Sequence, residues 1–434
     1  MYLTNSVFVK KIYLLAGFAL LASPLFAQRT LIHCGNLFTG TSNDVQPQMT
    51  VVVEGSKITG IQKGYTAGSG QDRVIDLKNK TVLPGLIDMH VHLETETRRG
   101  GLIDRFTLNV PDVAFQAAKN AKTTLLAGFT TVRDLGGSGV NVSLRNAVNR
   151  GLVDGPRILT VGKSIATTGG HADPTNGYRK DLMGDPGPEE GVINGPDDAR
   201  KAVRQRYKDG ADLIKITATG GVLSNAKDGS GPQFTEEEAK AVVDAANDYG
   251  FAVAAHAHGA EGMKRAIRAG VQTIEHGTYM DDETIALFKK HGTYYVPTII
   301  AGKTVADSAK MFGYYTALVT PKALAVGPKI QATFSKAYKA GVNIAFGTDA
   351  GVFIHGYNAK EFEYMVEAGM PPVEALKAAL LNNARLLKMD TQIGSIETGK
   401  FADIIAVDEN PIKNIKTLQT VKFVMKDGKV YKGE

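Results

Sequence analysis

From residue 82 to about residue 385 the chain alternates short apolar runs with longer amphipathic ones, eight times over. The apolar runs fall at 82–93, 130–135, 157–163, 212–219, 252–257, 273–276, 294–299 and 343–348. Their length and β-branched content predict strands. The segments between them read as helices. "TEEEAKAVVDAANDYG" (235–250) opens on Thr235 with Glu238 three positions on, the pattern of a capping box, and ends on glycine. "AEGMKRAIRAG" (260–270) ends the same way. Strands that alternate with helices run parallel, because each helix carries the chain back to the end where the last strand began. Eight such units predict an α/β chain folded as a closed (β/α)8 TIM-like barrel. An open, doubly wound sheet competes, but no glycine-rich phosphate-binding turn follows the first strand.

The flanks differ from the middle. Residues 28–81 read as short strands and turns, with "MTVVVEGSKITGIQKG" as a hairpin. At the other end, within 386–434, "GSIETGKFADIIAVDENP" and "VKFVMKDGKVYKG" repeat that pattern, and Asp427-Gly428 is a tight-turn signal. Strand-rich ends around an α/β middle predict one β-sandwich built from both termini, beside a barrel over 82–385. Residues 1–27 read as a signal peptide: Lys10 and Lys11, an apolar run from Ile12 to Ala22 too short to span a bilayer, and a small-residue end at Ala27. The expected mature chain is therefore periplasmic or secreted, with no membrane segment after cleavage. Its net charge falls from +6 to near +4 when the two lysines leave, and no basic run or basic–aromatic alternation appears. That excludes a nucleic-acid partner. Cys34 is the single cysteine, so an internal disulfide and a thiolate metal cluster are also excluded.

In a barrel of this kind, chemistry sits at the C-terminal ends of the strands. His90 and His92 end the first strand, in "VLPGLIDMHVHLE". Alternate residues face one side, so both imidazoles point the same way, roughly 6 to 7 Å apart along the backbone. Two ligands of one metal ion, or two histidines on a strand edge, satisfy this stretch alone. Further along, "LIKI" carries Lys215, "AHAHG" carries His256 and His258, "IEHG" carries His276 and "FGTDAG" carries Asp349. Ile214 and Ile216 belong against the helices, so Lys215 points into the barrel. Burial lowers the pKa of an ammonium. The neutral amine adds carbon dioxide to become a carbamate able to bridge two metals, or else the ammonium pairs with Asp349.

This set of residues resembles the metal-dependent amidohydrolase superfamily over nearly the whole mature chain. "TTGGHADP" (167–174), "IKITATGGVLS" (214–224) and "IEHGTYMDDET" (274–284) resemble the imidazolonepropionase-related branch with prolidase-like and ochratoxin-hydrolysing members. The resemblance implies that His90, His92 and Asp349 bind one divalent ion and His256 and His276 a second. Lys215, as N6-carboxylysine, would bridge them. It implies two ions, with zinc suited to a thiolate-free, imidazole-rich set. Asp349 would take a proton from the attacking water and return it to the leaving nitrogen. The implied reaction is cleavage of an amide bond in a small molecule: a dipeptide or N-acyl amino acid that loses its C-terminal residue, or an aromatic acyl amide such as ochratoxin A. The resemblance also implies a homo-oligomer.

Other residues carry expectations of their own. His258 and His171 are expected beside the substrate, as catalytic contacts. Tyr178, Arg179, Arg133 and His355 are expected to reach it as binding residues, the first three as anchors for a carboxylate. Asp134 is expected to orient a liganding histidine, and the loop 172–198 to cover the site. Two other functions fit the same residues: hydrolysis of a cyclic amide or lactone, which liberates no amino acid, and metal binding on a barrel without catalysis.

Overall fold

The structure, a computed structural model, describes residues 28–433; the expected signal segment 1–27 lies outside them. Four strands open the described chain: β1 (Arg29–Leu37), β2 (Gln46–Glu54), β3 (Lys57–Lys63) and β4 (Arg73–Pro84). Three more form a parallel arc in chain order: β5 (Leu86–Val91), β6 (Phe129–Asp134) and β7 (Arg157–Thr160). A two-stranded pair, β8 (Ala166–Thr167) and β9 (Val192–Ile193), follows. A second parallel arc comprises β10 (Ile214–Thr217), β11 (Val253–Gly259), β12 (Thr273–Tyr279) and β13 (Tyr294–Val296). The chain closes with β14 (Ile404–Val407), β15 (Phe423–Lys426) and β16 (Lys429–Lys432).

Main-chain hydrogen bonds join the two arcs on both sides. Asp212 N donates to Thr160 O at 2.8 Å, and Ile165 bridges Ile216 in parallel. On the other side stand residues 343–350, which include the expected eighth strand, 343–348. Tyr295 N donates to Asn343 O (2.8 Å), Ala345 N to Tyr295 O (3.0 Å), Met89 N to Phe346 O (3.0 Å) and Asp349 N to His90 O (2.7 Å). This segment makes bridges only at Ile344 and Ala350 and is not a regular strand. Its first residues bond to β13 and its later ones to β5, and Asp349 takes φ 62°, which breaks the extended repeat. Buried side chains stitch the same seam. Asn383 Nδ2 donates to Ile87 O and Phe346 O, both at 2.8 Å. Asp88 accepts from Thr348 N (3.0 Å), Thr348 Oγ1 (2.7 Å) and Asn358 Nδ2 (2.9 Å).

The helices form where the sequence predicts. Thr235 Oγ1 accepts from Glu238 N at 3.1 Å and Glu238 accepts from Thr235 N at 2.9 Å, which starts the helix Glu236–Asp248. Ala239, Val242, Val243 and Ala246 then bury one face, at the three-and-four spacing that an amphipathic helix requires.

The two chain ends meet around one buried cluster, to which β1–β4, β14 and β15 all contribute side chains. All of β1–β4 and β14–β16 belong to one seven-stranded sheet, in the order β16-β15-β14-β4-β1-β2-β3. The sheet curls so that Ile58 N, on β3, donates to Lys400 O at 3.0 Å, and β4 is long enough to serve both halves. Its first part pairs parallel with β1, and its last four residues pair antiparallel with β14. Residues 82–84 therefore belong to this sheet and not to the first arc. Between Pro84 and Leu86 the chain passes through Gly85, where a Cβ would lie 2.1 Å from Thr130 Oγ1. Only glycine allows β4 to turn there into β5. Cys34 is buried in this sheet, and burial pushes its thiol up to about 12. Among the described residues, no helix is long and apolar enough to cross a membrane.

Arg157, on β7, ties the arc to the terminal sheet. It donates to Asp403 (2.7 Å) and Asp427 (2.5 Å), with Asp403 buried. Removing one partner from a buried charge cluster leaves the others uncompensated. Arg157→Ala is therefore expected to lower unfolding free energy by roughly 3 kcal/mol, read as a shift of the urea midpoint at unchanged slope.

Candidate active site

His90 and His92, the last polar residues of β5 and its exit, bring their rings to 5.3 Å centroid separation. Each ring is oriented by what its Nδ1 touches. His90 Nδ1 donates to Glu275 Oε2 at 2.9 Å and His92 Nδ1 donates to Gly136 O at 2.7 Å. Both Nε2 atoms then turn to Asp349, whose Oδ1 lies 3.4 Å from each. The ligand atoms of His90, His92 and Asp349 all fall within 4.8 Å of one another.

From the other arc come His256 on β11 and His276 on β12. His256 Nε2 donates to Gly220 O at 3.1 Å, which leaves Nδ1 free. His276 Nδ1 shares a hydrogen bond with Thr298 Oγ1 at 2.8 Å, which leaves Nε2 free. The His276 ring centroid is 4.6 Å from that of His256 and 5.1 Å from that of His90, so it stands between the two groups. Lys215, on β10, lines the same cavity and is buried. Among the described residues its Nζ makes no hydrogen bond and has no carboxylate within 4 Å, so the pairing with Asp349 is not made. Burial lowers its pKa, while Glu275 and Asp349 oppose that from a distance.

This donor set fits a divalent ion. A ligand imidazole must be neutral. Burial, aided by Lys215 and neighbouring rings, holds His90, His256 and His276 well below the usual range and brings His92 down to about 4. Free ring nitrogens beside a carboxylate, with their second nitrogens engaged elsewhere, make up a metal site and its supporting contacts. Two buried polar atoms of residues lining the cavity, His171 Nδ1 and Thr217 Oγ1, have no partner among the described residues.

The remaining expectations divide. His171 and His258 both line the cavity: the His171 ring lies 4.3 Å from that of His256, and His258 Nδ1 pairs with Thr278 Oγ1 at 2.9 Å. Arg133 does not anchor a substrate. It has no exposed surface and donates to Met89 O (2.7 Å), Thr273 Oγ1 (3.2 Å) and Glu275 Oε1 (2.8 Å). Asp134 orients no histidine; it accepts from Leu93 N (2.9 Å) and Asn141 Nδ2 (2.8 Å). His355 falls short of the cavity because both its nitrogens are used: Nε2 donates to Thr95 O (3.1 Å) and Nδ1 accepts from Thr124 Oγ1 (3.2 Å). Arg179 is exposed and pairs with Asp181 at 2.5 Å. Tyr178 packs on Phe106, with ring centroids 5.8 Å apart. Neither lines the cavity, whereas Arg105 does. The loop 172–198 contains a short helix, Lys180–Met183, and β9.

Two residues that matter here were missed. Glu275 was read as part of a strand, yet it is the carboxylate that sets the His90 ring. Its place one residue before His276 put it on the opposite face of an ideal strand. The signal that finds it is a charged residue inside the buried run "TIEHG". Arg105 lies in a single helical turn, Asp104–Thr107, with no strand-end signal.

The sequence pattern of the Amidohydrolase family matches residues 81–431. The chain belongs to that family. An ochratoxinase of Aspergillus niger is 31% identical over 95% of this chain and 88% of its own length. The crystal structure of a Xaa-Pro dipeptidase with methionine bound in its active site is 54% identical, with TM-score 0.91 over 93% of this chain and 100% of that one. A prolidase complexed with N-methylphosphonate-L-proline is 31% identical, with TM-score 0.85 over 94% of this chain and 100% of that one. The chain falls in the prolidase- and ochratoxinase-like branch of the family and is a hydrolase acting on amide C–N bonds.

Glu275 gives this site its first test. Glu275→Gln keeps the shape and weakens the acceptor of His90 Nδ1. Its expected effect is a ~10–100-fold loss of metal affinity, measured by competition with a chelator.

Proposed function

We propose that this chain is an exported, dinuclear, metal-dependent amidohydrolase that releases a C-terminal amino acid from a dipeptide or N-acyl amino acid. The observation that carries the reading is the convergence of His90, His92, His256, His276, Lys215 and Asp349 on one cavity. The seams on either side of residues 343–350 and at β7/β10 support an eight-stranded closed barrel, with residues 82–385 as its span and the chain ends as a separate sheet domain. The signal-like segment 1–27 supports a periplasmic or secreted protein. Exposed apolar side chains, among them Phe115 and Phe312, support a homo-oligomer. The ochratoxinase relative supports aromatic acyl amides such as ochratoxin A as candidate substrates.

His90, His92 and Asp349 would hold one ion and His256 and His276 the other, with zinc favoured by the donor types. Lys215 would bridge them as a carbamate: its neutral Nζ bonds to the carbon of CO2 and gives up one proton to solvent. When bound, the ions would supply a Lewis acid for the amide carbonyl and a water acidic enough to attack near neutral pH. Asp349 manages the proton. Burial raises its carboxyl, with Lys215 opposing, so the oxygen not turned to His90 and His92 can accept the proton of the attacking water and pass it to the leaving nitrogen. His258, with Nε2 free of the Thr278 contact, and His171 are positioned as hydrogen-bond donors to the oxygen that gains charge.

The test combines metal content with product analysis. Purified full-length protein should hold two divalent ions per chain, liberate free amino acid from Xaa-Pro or acyl-amino acid substrates, and gain activity with bicarbonate when reloaded from the metal-free state. Lys215→Ala should lose the second ion, the bicarbonate effect and activity together. One ion per chain with ring opening and no free amino acid would replace this reading.

A further inference from the structure

The cavity encloses about 330 Å³ and its lining is unequal in charge. Asp349 is the only carboxylate on its wall, and it faces His90 and His92. Arg105, which is exposed, supplies a guanidinium to it, while Lys215 within is the amine that takes up CO2 in the reading above. Arg105 is held without being neutralised. Its Nη1 donates to Pro174 O at 3.2 Å and its guanidinium lies 5.2 Å from the centroid of the Tyr178 ring, which in turn packs on Phe106. No carboxylate lies within 4 Å of it among the described residues. A planar guanidinium fixed by a carbonyl and a ring is built to take a carboxylate with two parallel hydrogen bonds.

A different part of the wall is apolar. The helix Ile299–Ala309 contributes Ala301, Gly302 and Val305, and the helix Val319–Lys339 contributes Val326 and Ile330. The two helices approach closely at Gly302, where a Cβ would stand 2.8 Å from Ile330 Cγ2. This wall offers no charge and no side-chain hydrogen-bond partner. A charged side chain placed on it would lose water without compensation, whereas an apolar one gains from burial.

We propose that Arg105 and this apolar wall together select the amino acid that leaves: one with a free carboxylate, held by Arg105, and an apolar side chain, packed against Ala301, Val305, Val326 and Ile330. The inference rests on the amidohydrolase reading above and names the substrate class within it. Basic and acidic C-terminal residues are poor leaving groups at this site, and so are amides that lack the carboxylate. Arg105 thus takes the anchoring role expected of Arg133, Tyr178 and Arg179.

The experiment uses the metal-loaded full chain with N-acetyl-L-methionine, N-acetyl-L-lysine, N-acetyl-L-glutamate and N-acetyl-L-methioninamide. In wild type, kcat/KM for the methionine substrate should exceed that for the lysine and glutamate substrates by about tenfold or more. It should exceed that for the carboxamide by about tenfold as well. In Arg105→Gln the acid-over-carboxamide ratio should collapse to within about twofold, chiefly through KM. Ala301→Leu should shift preference toward N-acetylglycine. A wild type that prefers lysine or glutamate overturns the inference, as does an Arg105→Gln variant that keeps the acid-over-carboxamide ratio. The wild-type profile needs no variant to fold. Calorimetric titration with free L-methionine, L-lysine and L-methioninamide reads the same selectivity without turnover. Selective methionine binding that Arg105→Gln abolishes, in a protein that cleaves none of the substrates, would sink the amidohydrolase reading and keep this one. Unselective binding would sink the inference itself.

Discussion

Glu275 has no exposed surface and stands between a guanidinium and an imidazole. One oxygen accepts from Arg133 Nη2 at 2.8 Å and the other from His90 Nδ1 at 2.9 Å. Through that one carboxylate β12, in the second arc, is tied to β5 and β6 of the first. Arg133 holds the carboxylate in place, and its acceptance from Nδ1 fixes which nitrogen of His90 carries the proton. The Nε2 lone pairs of His90 and His92 then converge on Asp349. A pair of this sort is weak evidence for stability. Its consequence here is orientation: the floor of the cavity is built from groups whose partners leave each ring one way to face.

Backbone strain concentrates around the same floor. His276 and Asp349, both expected as ligands, take φ 73° and φ 62°, and Thr298, which holds the His276 ring, takes φ 50°. Aspartate and histidine enter left-handed backbone more readily than most residues, but β-branched Thr298 there is strained. The surrounding bonds hold them there: Tyr295 OH donates to His276 O at 2.9 Å, and Asp349 N donates to His90 O at 2.7 Å. Strain of this kind persists only where packing over-determines the backbone, and it turns the side chain of a strand-end residue across the barrel mouth.

Much of this was legible in the sequence for a simple reason. His90, His92, Lys215, His256, His276 and Asp349 each interrupt or end an apolar run, and a polar group in that position needs an explanation. The eight-fold strand–helix alternation was legible because period-2 and period-3.6 patterns differ. Side-chain reach was not. Arg133 and His355 sit at the right ends of the right elements, yet each is consumed by neighbours far away in the chain, Glu275 for one and Thr95 and Thr124 for the other. Such partners follow from tertiary packing, which local pattern does not encode. The strand pairing of the terminal sheet was illegible for the same reason. Its strands are local, but the pairing of β4 with both β1 and β14 depends on how much of β4 each partner covers.

That pairing has a consequence for how the molecule is made. The last residues of β4 hydrogen-bond to Ile404–Val407, several hundred positions later in synthesis. Until β14 leaves the ribosome, β4 presents an open edge at the point where it turns into the strand that carries His90 and His92. Non-local pairing of this sort is slow to form and leaves edges that associate with the wrong partner. The first strand of the reaction centre is thus anchored by nearly the last segment to emerge. A chain truncated before β14 would keep every one of the metal-facing residues and lack the sheet edge that holds the first two in register.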